Sequence, residues 1–202
     1  MLNLKKVAVT GGLSCGKSSV CLILKKLGAY VVSADSIIQQ LLYSDINLIQ
    51  QMVNLLGSNI VVNGQLDRSQ VAHIIFQDSQ KLQAVEALLH PEVEREIDRE
   101  YQQQQCSSFS PLFVAEIPLL FESGWKKNYD YTIAVVTKYA QQRYEKKTND
   151  YVQFNKRMAK QFSLVDKLIF ADYVLVNDQG LADLQKSTRE IYFRLCKTTS
   201  PS

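Results

Sequence analysis

The chain has no run of about 18 apolar residues, so none of its segments is expected to cross a bilayer. Its four cysteines, Cys15, Cys21, Cys106 and Cys196, form no C-x-x-C pair and no metal-ligand spacing. They read as free thiols of a reducing compartment. No leader is recognisable where two lysines run into an apolar strand and a glycine-rich turn, so a cytoplasmic protein is expected. Charge of one sign is also scarce: the formal net charge is +3, too little by itself to argue for nucleic acid. There is no internal repeat and no long low-complexity stretch. What is present is ordinary for a globular protein, with 46% hydrophobic and 21% charged residues. The 202 residues suit one domain, or one core with a small insertion, and can bury that core without staples.

The charge is unevenly spread. Between Lys138 and Lys167 lie eight basic residues (Lys138, Arg143, Lys146, Lys147, Lys156, Arg157, Lys160, Lys167) and three acidic ones (Glu145, Asp150, Asp166), a local net of +5 that leaves −2 elsewhere. Either a polyanion docks there or the segment is a solvated helical face.

Lys5–Thr10 is short, apolar and β-branched, as in a buried parallel strand. Gly11 and Gly12 break it. A helix is predicted from Lys17, with Val20, Ile23, Leu24 and Leu27 on one face and Gly28 as its C-cap. Tyr30–Ser33 reads as a second strand. Residues 35–103 read mostly helical, with a turn at Asn63-Gly64 and a break, kink or fresh helix start at Pro91. Further strands are predicted at 112–117, 131–137 and 173–176, the basic segment between the last two reads as helices, and a final helix covers 181–195. Alternating strands and helices imply an α/β fold with a five-stranded parallel sheet.

Residues Gly11, Gly12, Leu13, Ser14, Cys15, Gly16, Lys17 and Ser18 fit G-x-x-x-x-G-K-S/T between a strand and a helix, the context that this phosphate-binding loop requires. Successive backbone N–H groups and the helix N-terminus form an anion nest, and glycines let the backbone come close to the phosphates. Lys17 can reach the β- and γ-phosphates, and the Ser18 hydroxyl can ligate Mg²⁺. Missing motifs narrow the class. There is no N-K-x-D (Asn155-Lys156 is followed by Arg157-Met158), no D-x-x-G and no L-S-G-G-Q, which removes the GTPases and the transport ATPases and leaves the small-molecule kinases. Asp35, just past the second strand, is either the carboxylate that takes the acceptor hydroxyl's proton or a helix N-cap.

Several ordered strings then resemble the dephospho-CoA kinase family over nearly the whole length. They are Thr10-Gly11-Gly12-Leu13 leading into Gly16-Lys17-Ser18, Ser33-Ala34-Asp35, Leu66-Asp67-Arg68, Leu88-Leu89-His90-Pro91, and Ile117-Pro118-Leu119-Leu120-Phe121-Glu122. Arg143, Arg157 with Gln161, and Ala171-Asp172-Tyr173 with Asn177 complete the series. The resemblance implies a P-loop kinase core (about 1–34, 110–137 and 168–202), a helical CoA-binding insertion (about 35–109) and a small helical lid (about 138–167). It implies ATP as donor with Mg²⁺, and the ribose 3′-hydroxyl of dephospho-CoA as acceptor. The expected partners are these two substrates, without nucleic acid or membrane, in a monomer or small homo-oligomer.

By the same resemblance Asp35 is the catalytic base, and Lys17 and Arg143 act on the moving phosphoryl group. Gly11 to Ser19 and Asn177 bind ATP, with Asn177 near the adenine. Asp35, Arg68, His90, Pro118 and Leu119 bind the acceptor. The residues themselves leave alternatives open: a surface arginine at 143, a turn residue at 177, a buried structural histidine at 90, packing at 119–121, and at Glu122 a cap or an orienting group.

Five positions depart from the family pattern. Ser33 replaces an Asp, and Ser14 and Cys15 replace Gly and Ser. Glu116 stands where Asp is frequent, as an acid that could hold Mg²⁺ through water. Lys147 stands for a second arginine, keeping the charge without the bidentate fork. A kinase of another small molecule or nucleotide, and a non-catalytic nucleotide-binding protein, remain as rival readings.

Overall fold

In the computed structural model, the described residues are 4–107, 110–148 and 164–197. They form two compact units, one of residues 1–33 and 100–202 and the other Ala34–Arg99, taken in turn below.

The first unit is built on a parallel sheet. Its strands are β1 (Lys5–Gly11), β2 (Tyr30–Ser33), β5 (Leu112–Glu116), β6 (Tyr131–Val136) and β7 (Tyr173–Val176), in the order β2-β5-β1-β6-β7. Every pairing is parallel, as expected from the alternating pattern. β1 is central and buried along its whole length. That explains its near-continuous apolar character, since a strand covered on both faces has no solvent side on which to alternate. Helix α1 (Lys17–Lys26) packs Val20, Cys21 and Leu24 into the core with Val7, Val9, Val114 and Val135. It ends in a Schellman motif in which Gly28, at φ 105°, donates to Lys25 O and Ala29 to Leu24 O. The last helix, α8 (Leu181–Lys197), covers the same core with Leu184, Ile191, Tyr192 and Leu195. Two shorter helices, α6 (Ala140–Thr148) and α7 (Leu164–Phe170), also belong to this unit.

The two lysines that open β1 are buried, which their charge did not announce. Lys5 Nζ donates to the Leu195 carbonyl at the end of α8, and Lys6 Nζ lies 5.2 Å and 5.0 Å from the rings of Tyr101 and Tyr129. An ammonium stays charged in such a place only when carbonyls or aromatic faces replace its water. At the start of β7, Asp172 ties two strands together by accepting from Thr132 N (2.8 Å) and Thr132 Oγ1 (2.6 Å).

The second unit is helical, with α2 (Ala34–Ser44), α3 (Ile46–Leu56), α4 (Arg68–Gln77) and the first part of α5 (Ser79–Ser107). Asp45 caps α3 through Leu48 N, and Asp67 caps α4 through Ser69 N and Gln70 N. The Asn63-Gly64 turn joins two antiparallel strands, β3 (Val61–Val62) and β4 (Gln65–Leu66), too short for any alternation to show in the sequence. Both turn residues have positive φ, 52° and 78°, as a type I′ hairpin turn demands. Pro91 does not break α5, contrary to one expectation. Its ring forfeits the bond to the Ala87 carbonyl, but Val85, Leu89, Val93 and Ile97 form a buried stripe that runs on through that point.

Candidate functional site: the loop between β1 and α1

β1 can turn into the loop only because Gly11 has no side chain. It pairs with Val135 at φ 144°, and a Cβ there would run into the Val135 carbonyl oxygen. Gly16, at φ 102°, starts α1 without a side-chain cap, so first-turn N–H groups keep their capacity for an external acceptor. By contrast, a Cβ on Gly12 would meet nothing within 4 Å, so packing does not demand glycine there. Leu13 is half-buried beside it. Ser14 has φ 55°, a left-handed conformation that the usual glycine adopts at no cost and a serine adopts at about 1 kcal/mol.

Lys17 folds back over the loop and donates to the carbonyls of Gly12 (2.9 Å) and Gly11 (3.3 Å). Ser18 Oγ donates to Glu116 Oε1 at 2.9 Å, across the end of β5. Glu116 is the acid at the strand end that the sequence suggested, and the fold brings it to the loop's hydroxyl. Both are hard oxygen donors. Mg²⁺ is normally held by one or two protein oxygens plus phosphates and water, so this pair fits it. No group of three or more His, Cys, Asp or Glu side chains suited to a metal occurs among the described residues. Ser19, exposed, donates its N–H to Gly16 O.

The far wall comes from α6 and the end of β7. Asn177 is buried, and its Nδ2 donates to the Cys15 carbonyl at 2.9 Å. Arg143 Nη2 donates to the Asn177 carbonyl at 2.8 Å. Arg143 is therefore not a free surface arginine, and Asn177 is more than a turn residue. Next to it Asp178 accepts from Thr137 Oγ1 (2.8 Å) and Lys138 N (3.1 Å), bonds that hold its carboxyl below the usual range. A pocket of about 470 Å³ opens here, with Lys17, Ser18, Arg143 and Lys146 on its lining. Along the chain Lys146 shows only as part of a basic run. Its spacing of three from Arg143 on a helix is the signal that could have picked it out. Lys147 lies in α6, but its side chain is outside the described residues, as are Arg157 and Gln161.

The basic segment is also less uniform than its charge count suggested. Lys167 is 1% exposed and pairs with Glu122 at 3.0 Å, so it adds nothing to a surface field. Glu122, 13% exposed, thereby acquires a role as the counter-ion of a buried lysine. Pro118 offers its carbonyl to Thr10 Oγ1 (3.2 Å) and Lys167 Nζ (3.4 Å), and Leu119 is half-buried beside it, so both sit in the framework under the loop.

Cys15 is 1% exposed, and burial pushes its thiol up despite the pull of Lys17 and of the loop N–H groups. Desolvation here outweighs the field of the helix N-terminus, which by itself would favour a thiolate.

In the helical unit, Asp35 is exposed and lies within the first turn of α2, not at its cap, two residues after the end of β2. Arg68 opens α4 and lines a small pocket with Gln39, Tyr43 and Gln65. Tyr43 is 75% exposed. His90 is half-buried on α5 rather than fully interior, and does not line that pocket.

Known proteins resemble the chain over nearly its whole length. A family model described as dephospho-CoA kinase matches residues 5–183. The chain is 50% identical to the dephospho-CoA kinase of Protochlamydia amoebophila over 199 residues, covering 96% of this chain and 98% of that one. It is 38% identical to the dephospho-CoA kinase of Chlamydia pneumoniae over 198 residues, with 96% and 98% covered. A crystal structure of a Thermus thermophilus protein superposes with a TM-score of 0.80 at 28% identity, covering 96% of this chain and 98% of that one.

Two outcomes are expected from the loop geometry. Ser14→Gly should raise stability by about 0.5 kcal/mol in urea unfolding, because relief of a left-handed serine slightly exceeds the added chain entropy of glycine. A maleimide probe at about pH 7.5 should label exposed Cys106 and spare Cys15 until the protein is unfolded, since only the thiolate reacts and burial keeps Cys15 protonated. Rapid labelling of Cys15, read by peptide mass, would contradict this.

Proposed function

The chain belongs to the dephospho-CoA kinase family, and from that premise we propose how its residues carry a phosphoryl group from ATP to the ribose 3′-hydroxyl of dephospho-CoA. The protein is a kinase that phosphorylates dephospho-CoA with ATP, as the last step of coenzyme A synthesis. The observation that carries the residue assignment is the pocket at the start of α1, where Lys17, Ser18, Arg143 and Lys146 come together.

In this reading the N–H groups from Leu13 to Ser19 cradle the β- and γ-phosphates. Lys17 leaves the loop carbonyls and neutralises the phosphate oxygens. Ser18, with Glu116 hydrogen-bonded to it, would hold Mg²⁺, which would supply neutralisation of the phosphate charge. The acceptor's 3′-oxygen bonds to the γ-phosphorus while the bond to the β,γ-bridging oxygen breaks. The hydroxyl proton passes to Asp35, and ADP departs. Asp35 is supported by its exposure and by its place two residues after Ser33, which pairs in register with Glu116. Arg143 and Lys146 counter the charge spread over the equatorial oxygens.

The helical unit, with Arg68 and His90, serves as the acceptor-binding part, and residues 138–167, of which 149–163 lie outside the described residues, serve as a lid that excludes water. Pro118 and Leu119 act by shaping the floor. No helix among the described residues is long and apolar enough to cross a membrane. A cytoplasmic monomer or small homo-oligomer is the setting we propose.

ADP release by the purified protein with ATP and Mg²⁺ should depend on added dephospho-CoA and yield CoA by mass. ATP binding without such stimulation would remove the acceptor assignment. Asp35→Asn should lower turnover by roughly 10²- to 10⁴-fold while leaving ATP affinity nearly unchanged. Near-normal turnover in that variant would show that Asp35 is not the base.

A further inference from the structure

Asn177 directly follows β7, and its main chain adds one rung to the ladder by donating to Val136 O at 2.8 Å. With its backbone so fixed, the side chain meets the phosphate loop at Cys15 O. A carbonyl can only accept, so chemistry decides which end of the amide points there. Cys15 O and Gly16 N–H belong to one planar peptide and point to opposite sides of it. Holding that carbonyl therefore fixes the direction of the Gly16 N–H, one of the donors of the anion nest. Gly16 is bound to the same arrangement from the other side, because a Cβ on it would run into Asn177 Nδ2. Finally, the Asn177 carbonyl accepts from Arg143. A single buried residue touches both the loop and the arginine on the facing wall.

We propose that Asn177 is a positioning residue for the triphosphate. Its amide sets the Cys15–Gly16 peptide so that the Gly16 N–H serves the nest, and its carbonyl steadies Arg143 beside the same pocket. This role differs from contact with the donor's adenine, and it rests on the reading that the loop binds ATP phosphates.

Inorganic tripolyphosphate, which has phosphates and no base, separates the two roles. Asn177→Ala should weaken binding of ATP and of tripolyphosphate by the same factor, about tenfold, as expected for loss of one buried hydrogen bond that orders a donor. The KM for ATP should rise more than kcat falls. Asn177→Asp should weaken both ligands further, because it sets a carboxylate against the Cys15 carbonyl. The wild-type protein supplies a measurement independent of the variants' folding: the Asn177 side-chain amide resonance should shift on adding tripolyphosphate and stay put on adding adenosine. Loss of ATP affinity with tripolyphosphate unaffected, or an amide that answers adenosine alone, would overturn the proposal in favour of base contact. If the wild-type protein binds neither ATP nor tripolyphosphate, the nucleotide reading of the loop falls, and this inference falls with it. Binding of both by the wild type with no loss in either variant overturns the positioning role alone.

Discussion

The phosphate end of the molecule depends on one close approach. β1 runs at the centre of the sheet until Gly11 meets the Val135 carbonyl with no room for a side chain. Glycine accepts both that close approach and the φ of 144° with which the chain leaves the strand, and the residues that follow form the loop. The second tight place is Gly16, fitted against Asn177. Between these two points the backbone is held at both ends, and Ser14 is carried in a left-handed conformation unusual for serine. Strain of this kind persists only where the surroundings over-determine the backbone. The loop is thus largely pre-organised by the sheet, which is what an anion nest requires if donors are not to be reoriented on binding.

Electrostatics follow the same economy of placement. Several lysines are spent on structure, namely Lys5 at the end of α8, Lys6 among aromatic rings and Lys167 against Glu122. Among the described residues, the cations that line the pocket are Lys17, Arg143 and Lys146. A count of charges along the chain mixes these two populations, because burial and pairing decide which charge projects a field.

The departures from the family pattern are absorbed locally. Glu116 for Asp is one methylene longer and still meets Ser18 at 2.9 Å. Cys15 is a packed thiol of the core whose carbonyl, rather than its side chain, is in use. Ser33 retains the strand pairing opposite Glu116. None of these disturbs the loop's path, which is set by backbone contacts more than by side-chain identity.

The five strands, the loop and the order of helices were legible in the sequence because each depends on residues close together in the chain: an apolar run, a glycine at a turn, a repeat of three and four. The β3–β4 pair was not legible, since strands of two residues carry no period. Continuity of α5 through Pro91 was hidden as well, because local propensity argues for a break and only the buried stripe overrides it. By itself the sequence determined that a strand, a phosphate-binding loop and a helix follow one another, and which chemistry that loop serves. Tertiary structure alone decided that Glu116 stands opposite Ser18, 98 residues away, and that Asn177 reaches Cys15 across 162. Local patterns are written by backbone geometry repeated over a few residues, whereas such pairings exist only once the sheet has brought its strand ends to one edge.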